Sequence, residues 1–277
     1  MIGISTTDGE MKEAKNEINK SIYKEKKSSD LPSQLLPFLD PKILLLTLGL
    51  NFFLSAHAET LTELLPLKSS CQLLKNSTYY SCYQAHHRNP SWTLHELTRA
   101  QTSGQQSRSN DYRRDQRISD AVEASDYRSS GFDRGHMVPA ADRRKDKASM
   151  SETFLMSNMT PQRPEFNRGI WRVLEQKIRK DFLSLRREDD VFVFTGAHLE
   201  KNLPQLTTKI SIPEFFYKII FNASDLKITS YLISNHRYSS SELESFRVSV
   251  DEIEELTGLD FFSHLPDRLE LELESKI

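Results

Sequence analysis

An apolar stripe with a helical period is the clearest pattern in the chain. Between Pro164 and Leu185 the apolar side chains recur every three or four residues, at Ile170, Trp171, Leu174, Ile178, Phe182 and Leu185. This spacing predicts an α-helix with one buried face. A second helix is predicted over residues 249–258, because a capping pattern opens it at Ser249 and Gly258 ends it.

Runs of β-branched and aromatic residues predict the strands. They cover residues 191–196, 212–221 and 228–233, and a further strand follows the turn at Asn89–Pro90. Residues 101–131 are instead rich in Ser, Gln, Arg and Asp, which indicates either a functional surface segment or a flexible excursion. The predicted fold class is α+β, with a central antiparallel or mixed sheet flanked by helices.

The first 58 residues have the pattern of a secretion signal. Lys42 precedes an apolar run over residues 43–54, and Ala56-His57-Ala58 places small residues at the positions that a signal peptidase requires. The run is too short to cross a hydrocarbon core of ~30 Å as a helix. We expect cleavage after Ala58, export to the periplasm or the medium, and no lasting membrane association. An uncleaved anchor, or a start codon assigned too early, would also explain the long polar segment before Lys42.

Residues 59–277 are predicted to form a single domain, since this length buries an adequate core. Its two cysteines, Cys71 and Cys82, predict one disulfide in an oxidising compartment, and two buried free thiols are the alternative. Their spacing does not fit a zinc site.

Charge is distributed unevenly along this part of the chain. The whole chain has a formal net charge of −2, which gives no global sign of a nucleic-acid partner. Residues 59–241 nevertheless hold 27 basic and 21 acidic side chains, whereas residues 242–277 hold 3 and 11. A basic face on the central part would suit a polyanion, although a solvated surface with an acidic tail gives the same counts.

Candidate chemistry is concentrated in the segment 132–137. Asp133, Arg134, Gly135 and His136 follow one another there. A histidine moves protons near neutral pH, an arginine grips phosphate, and a glycine permits a close approach. A plain Asp133–Arg134 ion pair beside a core histidine is the alternative interpretation. If the segment is instead a catalytic site, it still lacks a metal ligand.

Asn167, at the start of the first predicted helix, is the candidate for that ligand. It projects on the side of the apolar stripe, where a polar amide needs a partner. Its oxygen suits Mg²⁺, whereas a helix-capping role is the alternative. Glu175 lies about two turns further on the same flank. It would hold water on the metal, or would simply pair with Arg172 or Arg179.

Five ordered blocks resemble the DNA/RNA non-specific endonucleases, which are ββα-metal (His-Me finger) nucleases. Similarity to the family covers roughly residues 80–270, in order and without large gaps. The blocks are Gly131–Asp142, Ser157–Gln162 with Asn167–Trp171, Phe194–Gly196, Ile212–Lys218 and Leu256–Phe262. One short motif is weak support, but five in order are strong support.

The resemblance implies a role for each matching residue. His136 would be the general base, Asn167 the direct ligand of Mg²⁺ (with Mn²⁺ as a substitute), and Glu175 a contributor through metal-bound water. Arg134 would contact the phosphate and Asp133 would act as scaffold. Arg168, Arg113 and Arg117 are predicted to bind substrate. The family's transition-state arginine would be one of Arg108, Arg113, Arg114 and Arg117, which the sequence leaves unresolved.

The implied activity is metal-dependent hydrolysis of phosphodiester bonds in DNA and RNA, with 5′-phosphate ends. A non-catalytic nucleic-acid-binding homologue and an exported phosphodiesterase for small substrates are the alternatives. His86, His87 and His198 are interpreted as ordinary surface or loop histidines. The oligomeric state is not predicted.

Overall fold

The computed structural model describes residues 61–186 and 189–277. The predicted secretion signal and its cleavage point after Ala58 lie outside this part of the chain. None of the helices described is both long and apolar enough to cross a membrane. The described residues form a large unit, Pro66–Phe261 with Leu271–Ile277, and a small unit of residues 61–65 with Phe262–Glu270. The single domain over residues 59–277 stays a prediction.

Nine strands form two sheets in the described residues. They are β1 Gln72–Lys75, β2 Tyr80–Gln84, β3 Asn89–Leu97, β4 Asp133–His136, β5 Met159–Gln162, β6 Val191–Ala197, β7 Phe215–Asn222, β8 Lys227–Ser234 and β9 Arg247–Val248. The larger sheet has the order β1-β2-β3-β6-β7-β8-β9, and β4 pairs with β5 in a separate ribbon. All strand pairs are antiparallel. Strand β7 begins three residues later than predicted, after Pro213, which cannot donate to a sheet ladder.

Six α-helices accompany these sheets within residues 61–186 and 189–277. They are α1 Arg99–Thr102, α2 Lys147–Glu152, α3 Pro164–Phe166, α4 Arg172–Ser184, α5 Val250–Thr257 and α6 Asp267–Glu274. A π-helical turn, Asn167–Trp171, joins α3 to α4. Shorter 3₁₀ turns occupy Ala124–Tyr127, Ala140–Asp142, Met156–Asn158 and Ser240–Phe246. This arrangement agrees with the predicted α+β class.

The predicted helical stripe packs against one face of the large sheet. Trp171, Leu174 and Ile178 are buried in one core cluster with Phe216 and Ile233 of strands β7 and β8. Burying a side chain of this size stabilises the fold by roughly 1.5–3 kcal/mol relative to leaving it in water. The core therefore fixes α4, and with it the turn that begins at Asn167, over the centre of the sheet.

Two local predictions are also confirmed. Ser249 caps α5, since its Oγ accepts from the Glu252 amide at 3.2 Å while the Glu252 carboxylate accepts from the Ser249 amide at 2.8 Å. Gly258 ends this helix with φ +70°, a left-handed conformation that favours glycine. Cys71 and Cys82 form a disulfide with a Cα–Cα distance of 5.5 Å.

Candidate active site

The ribbon β4–β5 and the helix after it place the two main candidate residues. His136 is the last residue of β4 and lies opposite Met159 in β5. Asn158 holds the chain beyond β4, because its side-chain oxygen accepts from the Val138 amide at 2.9 Å and its Nδ2 donates to the Thr153 carbonyl at 2.9 Å. The chain then leaves β5 directly into α3 and the turn of Asn167. A ββα unit therefore carries both residues.

Gly135 is required by a close approach within the ribbon. A Cβ at this position would lie 2.2 Å from the side chain of Gln162, which is fully buried. The space that this glycine was expected to leave for a backbone or a ligand is thus taken by Gln162. Any larger residue at 135 would push β4 away from β5 and displace His136.

The His136 ring lies in an aromatic pocket beside two arginines. Its centroid is 4.9 Å from that of Phe154 and 5.9 Å from that of Tyr112, both edge to face. Burial, then the charges of Arg108 and Arg134, lower the pKa of His136 to about 3, although a hydrogen bond to the Arg134 backbone acts in the opposite direction. His136 is therefore neutral at physiological pH.

The Nε2 atom of His136 is buried and has no hydrogen-bond partner among the described residues. A buried polar atom without a partner is costly, so this nitrogen remains available to a water molecule or a ligand that enters the site. A phosphate anion beside Arg108 and Arg134 would offset their charge and raise the pKa of the ring. The pocket can thus turn a weak base into an effective proton acceptor when an anion binds.

Asp133 orients Asn167. The Nδ2 of Asn167 donates to one Asp133 carboxylate oxygen at 2.8 Å, and the Arg168 guanidinium donates to both oxygens at 2.8 and 2.5 Å. Burial raises the pKa of Asp133, but the hydrogen bonds from Arg168 and Asn167 and the nearby arginine charges outweigh this, and the pKa is lowered. The carboxylate therefore stays ionised and keeps its two partners in place.

This arrangement fits a hard divalent cation at Asn167. Its amide nitrogen is committed to Asp133, and no donor among the described residues reaches its Oδ1. An amide oxygen is a ligand that Mg²⁺ accepts, and Mg²⁺ usually keeps several waters beside one or two protein ligands. The residues present therefore suit such an ion, whose identity the donor set does not decide.

Glu175 lies on α4 beyond the π-helical turn. Burial raises its pKa to about 6, with a further rise from Asp142, while the charges of Lys218, Arg179 and Arg108 act against this. The alternative of a surface ion pair with Arg172 or Arg179 is not what the structure shows. The Arg179 guanidinium donates to Asp142 at 2.8 Å and that of Arg172 donates to the Arg168 carbonyl at 2.9 Å.

The π-helical turn changes one geometric expectation. At 100° per residue in a regular helix, Glu175 would lie about 80° around the helix axis from Asn167. Gly169 departs from helical geometry, with φ −98° and ψ −117°, and the turn Asn167–Trp171 is wider than an α-helical one. The angular relation between Asn167 and Glu175 therefore does not follow from regular helical spacing.

Of the four arginines upstream, Arg108 is the one beside His136. Its guanidinium carbon is 4.8 Å from the centre of the Phe154 ring, and it donates to the Tyr112 hydroxyl at 3.2 Å. Arg134 lies over the same Tyr112 ring at 4.1 Å. The two guanidinium groups thus approach one aromatic cluster, which could hold a phosphate between them.

The other upstream arginines have different partners. Arg113 donates to Asp111 and to the Ser151 carbonyl, and Arg117 donates to Asp115, Asn76 and the Lys75 carbonyl. Arg114 lies 3.8 Å from Glu123. That Arg113 and Arg117 contact the substrate stays a prediction. Arg108 is the better candidate for the phosphate contact, because its charge is the one of these four that acts on His136. The guanidinium of Arg168 is likewise engaged with Asp133, although its side chain is 72% exposed.

A layer of buried polar residues below the site was not anticipated. His95 on β3 and Arg179 on α4 both contact Asp142, at 3.2 and 2.8 Å. Lys218 on β7 donates to Thr195 on β6 at 2.7 Å. A single polar residue within a strand pattern does not reveal from the sequence that it belongs to such a layer. The one available sign is that Asp142 and Lys218 fall within the blocks that resemble the family. His87 also differs from expectation, since it is buried and 3.0 Å from Ser211.

Comparison with known proteins supports the family that the sequence blocks resemble. Residues 56–268 match the sequence profile of the family described as DNA/RNA non-specific endonuclease. A nuclease of Nostoc sp. is 33% identical over 167 residues, which cover 56% of this chain and 60% of the relative. The mitochondrial nuclease EXOG of Danio rerio is 30% identical over 206 residues, covering 66% of this chain and 58% of the relative. The chain thus spans about three fifths of the length of these two proteins.

A solved structure has a similar fold. The crystal structure of an EndoG/EndoGI complex matches with a TM-score of 0.68 and 27% sequence identity, covering 77% of this chain and 94% of that one. These matches confirm the family resemblance and the predicted ββα-metal fold.

Proposed function

The chain belongs to the family of DNA/RNA non-specific endonucleases, and from this premise we propose that it is a divalent-cation-dependent nuclease that hydrolyses internal phosphodiester bonds in both DNA and RNA. One observation carries the proposal. The Nε2 of His136, which has no hydrogen-bond partner in the described part of the chain, lies beside the charges of Arg108 and Arg134, and Asp133 leaves the Oδ1 of Asn167 available to a cation. These are the base, the phosphate contacts and the ligand that the reaction needs.

His136 is assigned the proton transfer. A water molecule attacks phosphorus in line with the leaving oxygen, and its proton passes to the neutral imidazole of His136 as the new P–O bond forms. The bond from phosphorus to the 3′-oxygen breaks, so the phosphate stays on the 5′ end, and the 3′-oxygen takes a proton from solvent. Since the nucleophile is external water, a 2′-hydroxyl is not required and both sugars are accepted.

Asn167 and the two arginines are assigned the charge on the phosphate. A divalent cation held by the Asn167 Oδ1 would supply Lewis-acid stabilisation of the negative charge that develops in the reaction. Arg108 and Arg134 would bind the remaining anionic oxygens. Contacts of this kind reach the backbone and not the base edges, which accounts for cleavage without sequence preference. Glu175 would accept hydrogen bonds from water in the site and so help to orient it.

We propose export as the destination of the protein. Support comes from the apolar run and the small residues before position 58. The relative from Danio rerio is named as mitochondrial, so an organelle address is the competing interpretation. Sequencing the N-terminus of the mature protein separates the two, since a first residue of Glu59 supports cleavage by a signal peptidase and a different processing point contradicts it.

The direct test of the activity uses three substrates. Purified protein is incubated with supercoiled plasmid, a long RNA and a small chromogenic phosphodiester, each with Mg²⁺, Mn²⁺ or EDTA. We expect nicking of plasmid and RNA with either metal, none in EDTA, and little hydrolysis of the small diester. The nicks should be sealed by a ligase that requires a 5′-phosphate. Cleavage of the small diester alone would favour a small-substrate phosphodiesterase, and binding without cleavage would favour a non-catalytic homologue.

A further inference from the structure

Lys218 is a buried charge that the reaction outlined above does not use. It lies in the middle of strand β7, between β6 and β8 in the large sheet, and is 1% exposed. Its ammonium donates to the Thr195 hydroxyl at 2.7 Å and lies 4.8 Å from the centre of the Trp171 indole ring. Burying an ammonium group is costly unless an opposite charge compensates it. An apolar side chain of the same length would fill this space without that cost.

The charges around Lys218 come from three elements. They are Glu175 and Arg179 on α4, Asp142 in the 3₁₀ turn, and His95 on β3. Asp142 already binds His95 and Arg179 directly. Glu175 has no hydrogen bond or ion pair among the described residues. Glu175 is therefore the carboxylate whose charge remains for Lys218 to balance.

We propose that Lys218 is a positioning residue for the reaction, namely the buried counter-charge that keeps the Glu175 carboxylate ionised and able to order water beside Asn167. The catalytic part of this inference rests on the proposed nuclease function. The electrostatic part rests on placement: the Lys218 ammonium lies over the Trp171 ring, and Glu175 follows Trp171 by four residues, on the same face of the helix one turn further on. A second contact supports it, because the Trp171 ring under the ammonium belongs to the same π-helical turn that starts at Asn167.

The mutual influence of the two groups has a definite direction. Burial raises the pKa of Glu175, and among the groups that act against this Lys218 is the strongest, ahead of Arg179 and Arg108. Burial lowers the pKa of Lys218, and Glu175 is the strongest group acting against that, ahead of Asp142. Each residue thus stabilises the charged form of the other, which is what a functional counter-ion does.

The first test measures the ionisation of Glu175 directly, without reference to activity. The protein is labelled with ¹³C at glutamate carboxyl carbons and titrated by NMR, and the Glu175 signal is assigned by its loss in Glu175→Gln. In Lys218→Met we expect the midpoint of Glu175 to rise by about 1–3 pH units, the usual effect of losing one nearby opposite charge. An unchanged midpoint would overturn the proposal.

A reciprocal titration keeps the proposal testable if Lys218→Met does not fold. In Glu175→Gln, the ¹³C-labelled side chain of Lys218 should titrate at a lower pH than in the unsubstituted protein, because its compensating charge is gone. A Lys218 midpoint that does not fall in this variant would contradict the proposal equally well.

The second test concerns the reaction. In Lys218→Met the acid limb of the rate profile for plasmid nicking should move to higher pH. At pH values below the limb, the rate should fall about tenfold for every pH unit that the limb moves. The rate should recover as the pH is raised. Lys218→Arg should keep the original limb, and Lys218→Met should lower the rate much less in a Glu175→Gln background. An equal loss at every pH, the same in both backgrounds, would show a merely structural role.

The two kinds of failure are distinguishable. If the unsubstituted protein cuts no nucleic acid, the proposed function fails while the titrations still report on the Lys218–Glu175 coupling. If the protein cuts normally and Glu175 titrates alike with and without Lys218, the positioning role fails while the nuclease function stands.

Discussion

Asn167 donates its amide N–H to the carboxylate of Asp133, 34 residues earlier in the chain, across 2.8 Å. This bond decides which end of the amide faces the site, since only the oxygen then remains for a cation. The contact joins the first residue of β4 to the turn before α4. It gives Asp133 a task that needs no direct part in the chemistry.

Removing that contact should weaken metal binding. We expect Asp133→Ala to raise the Mg²⁺ concentration needed for half-maximal nicking by about 10–100-fold, the usual cost of losing a residue that orients a metal ligand. Asp181→Asn is the matched control, because Asp181 is an exposed carboxylate on α4 paired with Lys177. Equal Mg²⁺ dependence in Asp133→Ala and the unsubstituted protein would exclude the orienting role.

The acid side of the activity profile should reflect Glu175. Since burial raises its pKa to about 6, the carboxylate is protonated below that pH and ionised above it. We expect kcat/KM, which reports on the free protein, to rise with pH through about 6. His136, with a pKa of about 3 in the free protein, should not limit the rate there. If the pH profile of Glu175→Gln still rises through about 6, the ionisation that limits the rate belongs to another group.

Arg108 and Arg117 should separate into a catalytic and a structural residue. Arg108→Ala is expected to lower kcat by about 10²-fold or more, since a charge contact to the reacting phosphate is lost. Arg117→Ala should instead lower thermal stability, because its guanidinium binds Asp115, Asn76 and the Lys75 carbonyl. The exposed Arg237→Ala controls for the loss of one positive charge. The reverse pattern, with the larger loss of kcat in Arg117→Ala, would favour the sequence-based prediction that Arg117 contacts the substrate.

Asp142 should make the fold sensitive to acid. Burial alone would raise the pKa of Asp142, but the hydrogen bonds and charges of His95 and Arg179 outweigh burial. The pKa is lowered from the ordinary value of 3.8 to about 2. The folded pKa is thus below the unfolded one, so this carboxylate stabilises the fold above pH 4 by about 2 kcal/mol and loses that contribution as the pH falls through 4 to 2. Urea unfolding of Asp142→Asn should show a deficit at pH 7 that shrinks at pH 3. A deficit that is constant with pH would refute the electrostatic explanation.

Much of the fold could be predicted because its elements have strong local patterns. The stripe from Ile170 to Phe182 and the cap at Ser249 both appear where the sequence placed them. Local patterns did not predict strands β1 and β2 or the ribbon β4–β5. These strands are four or five residues long, and the two strands of the ribbon pair across a long stretch of chain. The turn Asn167–Trp171 was not predicted either, because an apolar period of 3.6 does not reveal one widened turn.

The site was predictable to the extent that its residues lie in short motifs. Asp133, Arg134, His136 and Asn167 stand within two of the blocks that resemble the family. Choosing among four upstream arginines was not possible, because the choice depends on which one packs against Phe154 and Tyr112. The role of Lys218 was equally hidden, since a lysine within a strand pattern does not reveal what lies on the helix above it.

The nicking rate of His136→Ala on supercoiled plasmid at saturating Mg²⁺ tests the central claim most directly. Circular dichroism confirms that the variant folds, and His236→Ala, which removes an exposed histidine, serves as the matched control. We expect His136→Ala to be slower by about 10²–10⁴-fold, the range for lost general base catalysis, while His236→Ala cuts at the unsubstituted rate. A folded His136→Ala protein that nicks plasmid as fast as the unsubstituted protein would contradict the assignment of His136 as the base.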